Sequence, residues 1–166
     1  DNPTHSAVLA LAGGPGQAAL PLRETLAEVT AAALTHRDLI VFDQRGTGAS
    51  GPLSCPSLNA ARTLSAAIGG CANSLGAARG LYRTVDSVDD IEAIRQAAGY
   101  DSLVLFGVSY GTKVAETYAS LHPDRTEALL LDSVVLPDGP DPFRRSSLQA
   151  VPRVLSDLCA GGACRR

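Results

Sequence analysis

The chain has 166 residues, 45% of them hydrophobic, with a formal net charge of −3 and a mean hydropathy of +0.09. That is enough apolar material for one buried core. No apolar run approaches the roughly 18 residues needed to cross a bilayer, and Lys and Arg are scattered, so the sequence makes no case for a membrane span or a nucleic-acid surface. Methionine is absent, so Asp1 reads as a processing point or a cut, and both ends read as truncations. The lack of a signal peptide at such a start carries no information.

Ser6 to Ala12 is a short apolar run that ends in Gly13-Gly14-Pro15-Gly16, the pattern of a buried strand entering a loop. Pro21 to Leu34 is rich in Ala, Leu and Glu and predicts a helix. Asp38 to Phe42 predicts a second buried strand, which stops at the glycine-bearing turn Asp43-Gln44-Arg45-Gly46-Thr47-Gly48. Ser50 to Gly80 has no comparable pattern and reads as a less regular surface excursion. Thr84 to Ala98 places Val85, Val88, Ile91, Ile94 and Ala98 on one helical stripe, with Asp86, Asp89 and Asp90 as acids suited to the helix start. Ser102 to Phe106 predicts a third strand, Ser109 to Leu121 a helix and Glu127 to Leu131 a fourth strand. The tail from Pro137 opens with three prolines and then looks helical up to Cys159.

Strands without polar alternation, separated by helices, predict a parallel sheet covered on both faces. The expected fold class is therefore α/β, a three-layer sandwich on a mainly parallel sheet. The four cysteines suggest an oxidising compartment and disulfides. The favoured pairs are Cys55–Cys71 and Cys159–Cys164, each close in sequence. A zinc site lacks its usual Cys-x-x-Cys spacing or a nearby histidine pair, and four free thiols stay open as an alternative.

Gly107-Val108-Ser109-Tyr110-Gly111 stands between a predicted strand and a predicted helix. In that context Gly-x-Ser-x-Gly is a nucleophile elbow, which lifts the serine hydroxyl to the C-terminal edge of the sheet at a helix N-terminus. The competing reading is a glycine-rich turn with Ser109 as an ordinary N-cap. The loop Gly13 to Gly16 ends another strand at the same edge. Its Gly14 amide, beside the amide of Tyr110, is a candidate donor to an oxyanion. The same loop reads alternatively as a dinucleotide site, since Gly14 to Ala19 fits G-x-G-x-x-A and Asp43 ends the next strand. Pro15 removes an amide from that cradle, and the Arg45 turn and the serine elbow have no role in such a site.

With these three motifs in this order, the chain resembles the proline iminopeptidase and tripeptidyl aminopeptidase branch of the α/β-hydrolases. Tyr110-Gly111-Thr112 leans towards the tripeptidyl aminopeptidase-like members. The match extends to Asp90–Arg95, His122–Arg125, Leu131-Asp132 and Cys159 with Cys164, while Ala12 and Gln17 depart from the usual residues. The resemblance implies an exported exopeptidase, secreted or held in the periplasm or cell envelope. Its substrate would be a peptide with a free N-terminus, cleaved through an acyl-enzyme without metal or cofactor. Residues 1–136 would form the front of the core domain and residues 137–166 the start of a cap.

A serine nucleophile needs a base, and the base an orienting acid. His5 and His36 each precede a strand and so belong to the edge opposite Ser109, about 15–20 Å away. His122 lies at the far end of the helix that Ser109 opens, about 20 Å along it. The order Ser, acid, His therefore puts the expected histidine after Arg166 and predicts that the isolated chain is inactive. Asp132, at the correct edge, is the one candidate acid here, although the resemblance assigns that aspartate a structural role. Asp43 is expected to tie down the Arg45 turn. An esterase or lipase on the same core, and a non-catalytic pseudo-hydrolase, are the remaining alternatives.

Overall fold

The computed structural model describes residues 5–137 and 145–160. Four strands form one all-parallel sheet: β1 (Ser6–Leu11), β2 (Asp38–Val41), β3 (Ser102–Val108) and β4 (Thr126–Asp132), in the spatial order β2-β1-β3-β4. Every residue of β1 is buried, as its unbroken apolar run requires of a strand covered on both faces.

Alternation of side chains along β1 supplies two cores. Ala7, Leu9 and Leu11 pack with Leu103 and Leu105 of β3 against Val88 and Ile91 of α4 (Thr84–Ala98) and Val114, Ala115 and Tyr118 of α5 (Tyr110–Leu121). On the opposite face, Ala10 and Ala12 pack with Ala19 and with Leu26 of α1 (Arg23–Val29). Helices thus cover both faces, and the three-layer α/β sandwich stands.

Buried polar groups fasten the first of these cores. Tyr118 Oη donates to Glu92 Oε2 at 2.8 Å, and Glu92 Oε1 accepts from Arg95 Nη2 at 2.7 Å. Arg95 is itself buried, and its guanidinium also reaches the Tyr100 carbonyl. The Arg95 guanidinium, helped by the Tyr118 and Gln96 donors, overcomes burial and holds the Glu92 carboxyl down to about 2. Burial, followed by the bond to Glu92, pushes the Tyr118 phenol up.

Two expectations need correction. The helix expected over 21–34 is only the seven residues of α1, flanked by 3-10 turns at Leu20–Leu22 and Ala33–His36. The buried Thr30 hydroxyl donates to the Leu26 carbonyl at 2.6 Å, a side-chain bond that competes with helix propagation. The stretch expected to be irregular holds α2 (Ser57–Ala60) and the twelve-residue α3 (Leu64–Leu75). Thr63 caps α3 by accepting from the Ala66 amide at 3.2 Å. Gly70 looks like a breaker but serves close packing, since a Cβ there would sit 2.7 Å from Ser57 Cβ. The expected Cys55–Cys71 disulfide joins the loop just before α2 to α3. Cys159 lies in α6 (Arg145–Ala160), and its expected partner Cys164 falls outside the described residues. Among the described residues no helix is long and apolar enough to cross a membrane.

Candidate active site

Ser109 follows β3 and precedes α5, with φ 52° and ψ −117°. A non-glycine residue at positive φ carries backbone strain, a feature that clusters at functional sites. Although Ser109 occupies the N-cap position, its side chain makes no capping bond. The N-cap reading of this serine therefore fails.

Steric exclusion builds the turn. A Cβ at Gly107 would come within 2.5 Å of the Gly111 carbonyl oxygen, and one at Gly111 within 2.5 Å of the Leu11 carbonyl oxygen. Both flanking positions must be glycine for the helix to start so close to the strands. The Ser109 amide donates to the Asp132 carbonyl at 2.8 Å, tying the elbow to the end of β4. Thr112, fully buried, donates through Oγ1 to the Ser109 carbonyl at 2.6 Å and accepts from the Val135 amide at 2.8 Å.

The loop after β1 lies against the serine. A Cβ at Gly13 would be 3.1 Å from Ser109 Cβ, so Gly13 is the glycine that makes room for the elbow. The sequence singled out Gly14 and gave Gly13 no role of its own. Gly14 follows at φ 109°, exposed, and its peptide bond to Pro15 is cis. Tyr110, the other sequence-derived candidate, is the first residue of α5. Its amide belongs to the helix-terminal set that has no intrahelical acceptor. Its phenol is 3.0 Å from Thr84 Oγ1.

The Asp43 turn stands beside this loop. Asp43 is buried, and its carboxylate accepts from the Leu20 amide at 2.9 Å and the Ala49 amide at 2.8 Å. Burial pushes this carboxyl up, but the backbone amides outweigh it and hold it below the usual carboxylate range. Both oxygens are thus engaged by the chain's own backbone, which removes the basis for Asp43 as a ribose ligand. Gly48 lies against it, and a Cβ there would fall 2.0 Å from Asp43 Oδ2.

Arg45 forms a two-pronged pair with Asp90, Nε to Oδ2 at 2.7 Å and Nη2 to Oδ1 at 2.6 Å, and also donates to the Leu81 carbonyl at 2.8 Å. Its bond to Asp90 raises the guanidinium pKa further. Asp90 is therefore committed to a partner 45 positions away in sequence, rather than serving only the helix start. Asp86 does serve that start. It accepts from the Arg83 side chain and the Arg83 amide, and these bonds hold its carboxyl down to about 2.

The remaining expected groups are not assembled around Ser109. Asp132 is exposed, and its Oδ1 accepts from Ser133 Oγ at 2.9 Å. His5 precedes β1, stacks on Tyr100 at 4.7 Å and shares a hydrogen bond with the Gly99 carbonyl. His36 precedes β2, and His122 follows α5 against Tyr118. Because the strands are parallel, His5 and His36 lie at the edge opposite the elbow. Among the described residues no histidine stands beside Ser109.

Comparison with known proteins agrees with this geometry. The alpha/beta hydrolase fold family matches residues 6–157. The chain is 32% identical over 148 residues to a tripeptidyl aminopeptidase of Streptomyces lividans, covering 75% of this chain and 28% of that protein. It is 30% identical over 161 residues to the serine protease Hip1 of Mycobacterium tuberculosis, covering 83% and 31%. It is 29% identical over 138 residues to a proline iminopeptidase of Neisseria gonorrhoeae, covering 81% and 34%. The chain thus spans about a third or less of these curated relatives. Among solved structures, a marine microorganism esterase superposes with a TM-score of 0.56 at 14% identity, over 95% of this chain and 48% of the other. An epoxide hydrolase of Vigna radiata gives 0.56 at 20% identity, over 88% and 37%. With its parallel sheet, its strand–serine–helix turn and a family match over nearly its whole length, the chain belongs to the alpha/beta hydrolase fold family.

Proposed function

We propose that this chain carries the nucleophile and the oxyanion-binding backbone of a serine peptidase that removes short peptides or single residues from free N-termini. Ser109 Oγ attacks the substrate carbonyl carbon while a base takes the hydroxyl proton. The tetrahedral intermediate collapses as the C–N bond breaks, the proton passes to the leaving amine, and water later hydrolyses the ester. Amides of Gly14 and Tyr110 hold the oxyanion, a donor of this kind being worth about 3–4 kcal/mol of barrier. Base and triad acid come from residues beyond those described, and Asp132 keeps its structural place beside the elbow.

The observation that carries this reading is Ser109 at φ 52° on a strand-to-helix turn with its side chain unused as a cap. The names of the relatives, aminopeptidase, serine protease and iminopeptidase, support peptide substrates. The Cys55–Cys71 disulfide supports an exported protein.

The test is hydrolysis by the full-length protein of a tripeptide p-nitroanilide with a free amine, beside its N-acetylated form and a simple acyl ester. Cleavage of the free-amine anilide alone, abolished by Ser109→Ala, is the expected result. Preference for the ester would turn the reading to an esterase, and activity surviving Ser109→Ala would remove Ser109 from the chemistry.

A further inference from the structure

A cavity of about 190 Å³ opens beside the two backbone segments proposed to hold the oxyanion. Pro15 and Gly16 line one part of it, Tyr110 another, and Gln44, Arg45 and Tyr82 are among its remaining walls. Tyr110 is half-buried, with its ring against the core under α4 and α5. Tyr110 therefore borders open space as well as the core. Packing alone leaves a side chain in such a place more than one position.

A specific bond supplies what packing does not. The Tyr110 phenol is 3.0 Å from Thr84 Oγ1. Thr84 is the first residue of α4, and that helix is rigidly placed. The Arg83–Asp86 capping box fixes its start, and Val88 and Ile91 bury completely in the core immediately after. The hydroxyl that Tyr110 reaches is thus set by an element independent of the elbow.

We propose that Thr84 is a positioning residue for the reaction: by holding the Tyr110 phenol it keeps the Tyr110 ring out of the adjacent cavity and the Tyr110 amide aimed at the oxyanion. This rests on the reading of Ser109 as nucleophile and of the Tyr110 amide as an oxyanion donor. Thr84 touches neither substrate nor reacting atoms. Its effect belongs to the transition state, where the oxyanion exists, and so to kcat rather than KM. Outright removal of an oxyanion donor costs about 10²–10³ in kcat, and loosening one costs less.

The experiment is a double-mutant cycle on the full-length protein, assayed on the free-amine anilide with Ser109→Ala as reference. Thr84→Val keeps the shape and removes the hydroxyl, and about a tenfold fall in kcat with KM within twofold is expected. Thr84→Ser restores the hydroxyl and most of the rate. Tyr110→Phe matches Thr84→Val, and the double variant loses no more than either alone, because both delete one bond. Thr84→Val within twofold of wild type, or additive losses in the double variant, would overturn the proposal while Ser109→Ala stays inactive. Activity retained by Ser109→Ala would instead overturn the reading beneath it.

Discussion

The elbow around Ser109 and the excursion between Ser50 and Tyr82 lie near the same edge of the sheet but are held by different means. At the elbow, backbone meets backbone: Gly107 and Gly111 leave no space even for a methyl group. In the excursion, the segment holding α2 and α3 is fastened by a disulfide from Cys55 just before α2, a threonine cap and one tight glycine contact. Leu58, Leu64 and Ile68 of these helices stay exposed. The first region draws its order from the sheet, and the second carries its own fastenings. Damage to the elbow should therefore spread through the domain, whereas damage to the excursion should stay local.

Gly111→Ala tests the first half of that statement. Its methyl group would press on the Leu11 and Ala12 carbonyl oxygens of the central strand, and a destabilisation of about 3 kcal/mol is expected from overpacking without a side chain able to yield. A urea midpoint unchanged from wild type would show that the elbow can relax. Opening the Cys55–Cys71 bond, by Cys55→Ser with Cys71→Ser, comes next. The bond closes a loop with sequence separation 16, so the chain-entropy argument sets about 3 kcal/mol as its upper reach. The measurement that sharpens the comparison is hydrogen exchange. Amides of α3 should lose protection while those of β1 and β3 keep theirs, and equal loss in both would merge the two regions into one cooperative unit.

Acid separates them in the opposite direction, with the smallest effect of the three. No Asp or Glu occurs between Ser50 and Tyr82, whereas the core behind the elbow depends on Glu92. Its folded pKa, depressed to about 2 from 4.5, contributes stability that is complete above the unfolded value. That stability is lost as the pH falls from about 4.5 towards 2. Glu92→Gln should flatten the acid side of the stability curve by about 1–2 kcal/mol. Parallel curves for wild type and variant between pH 5 and pH 2 would mean that Glu92 has no part in acid unfolding.

Much of the frame was legible in advance because parallel strands buried on both faces must be largely apolar, as Ser6–Leu11 and Ser102–Val108 are after their leading serines. The elbow was legible because only glycine fits two positions either side of the serine. What escaped depends on proximity in space. Gly69 and Gly70 argue against a helix until Ser57 is seen packed on Gly70. Asp90 resembles any helix-start acid until Arg45 arrives from the turn after β2. The role of Gly13 and the bond between Thr84 and Tyr110 likewise follow from how loops meet, which no periodicity encodes.

The contact between Gly48 and the Asp43 carboxylate has a consequence for how this chain can vary over generations. An oxygen that would lie 2.0 Å from any added carbon makes the two positions a single inherited unit. Drift at Gly48 is barred while Asp43 keeps its amide partners, and loss of Asp43 strands the Leu20 and Ala49 amides it serves. Descendants that part from this pairing must change both positions together, so the pair should mark common ancestry more durably than an exposed neighbour such as Ser50.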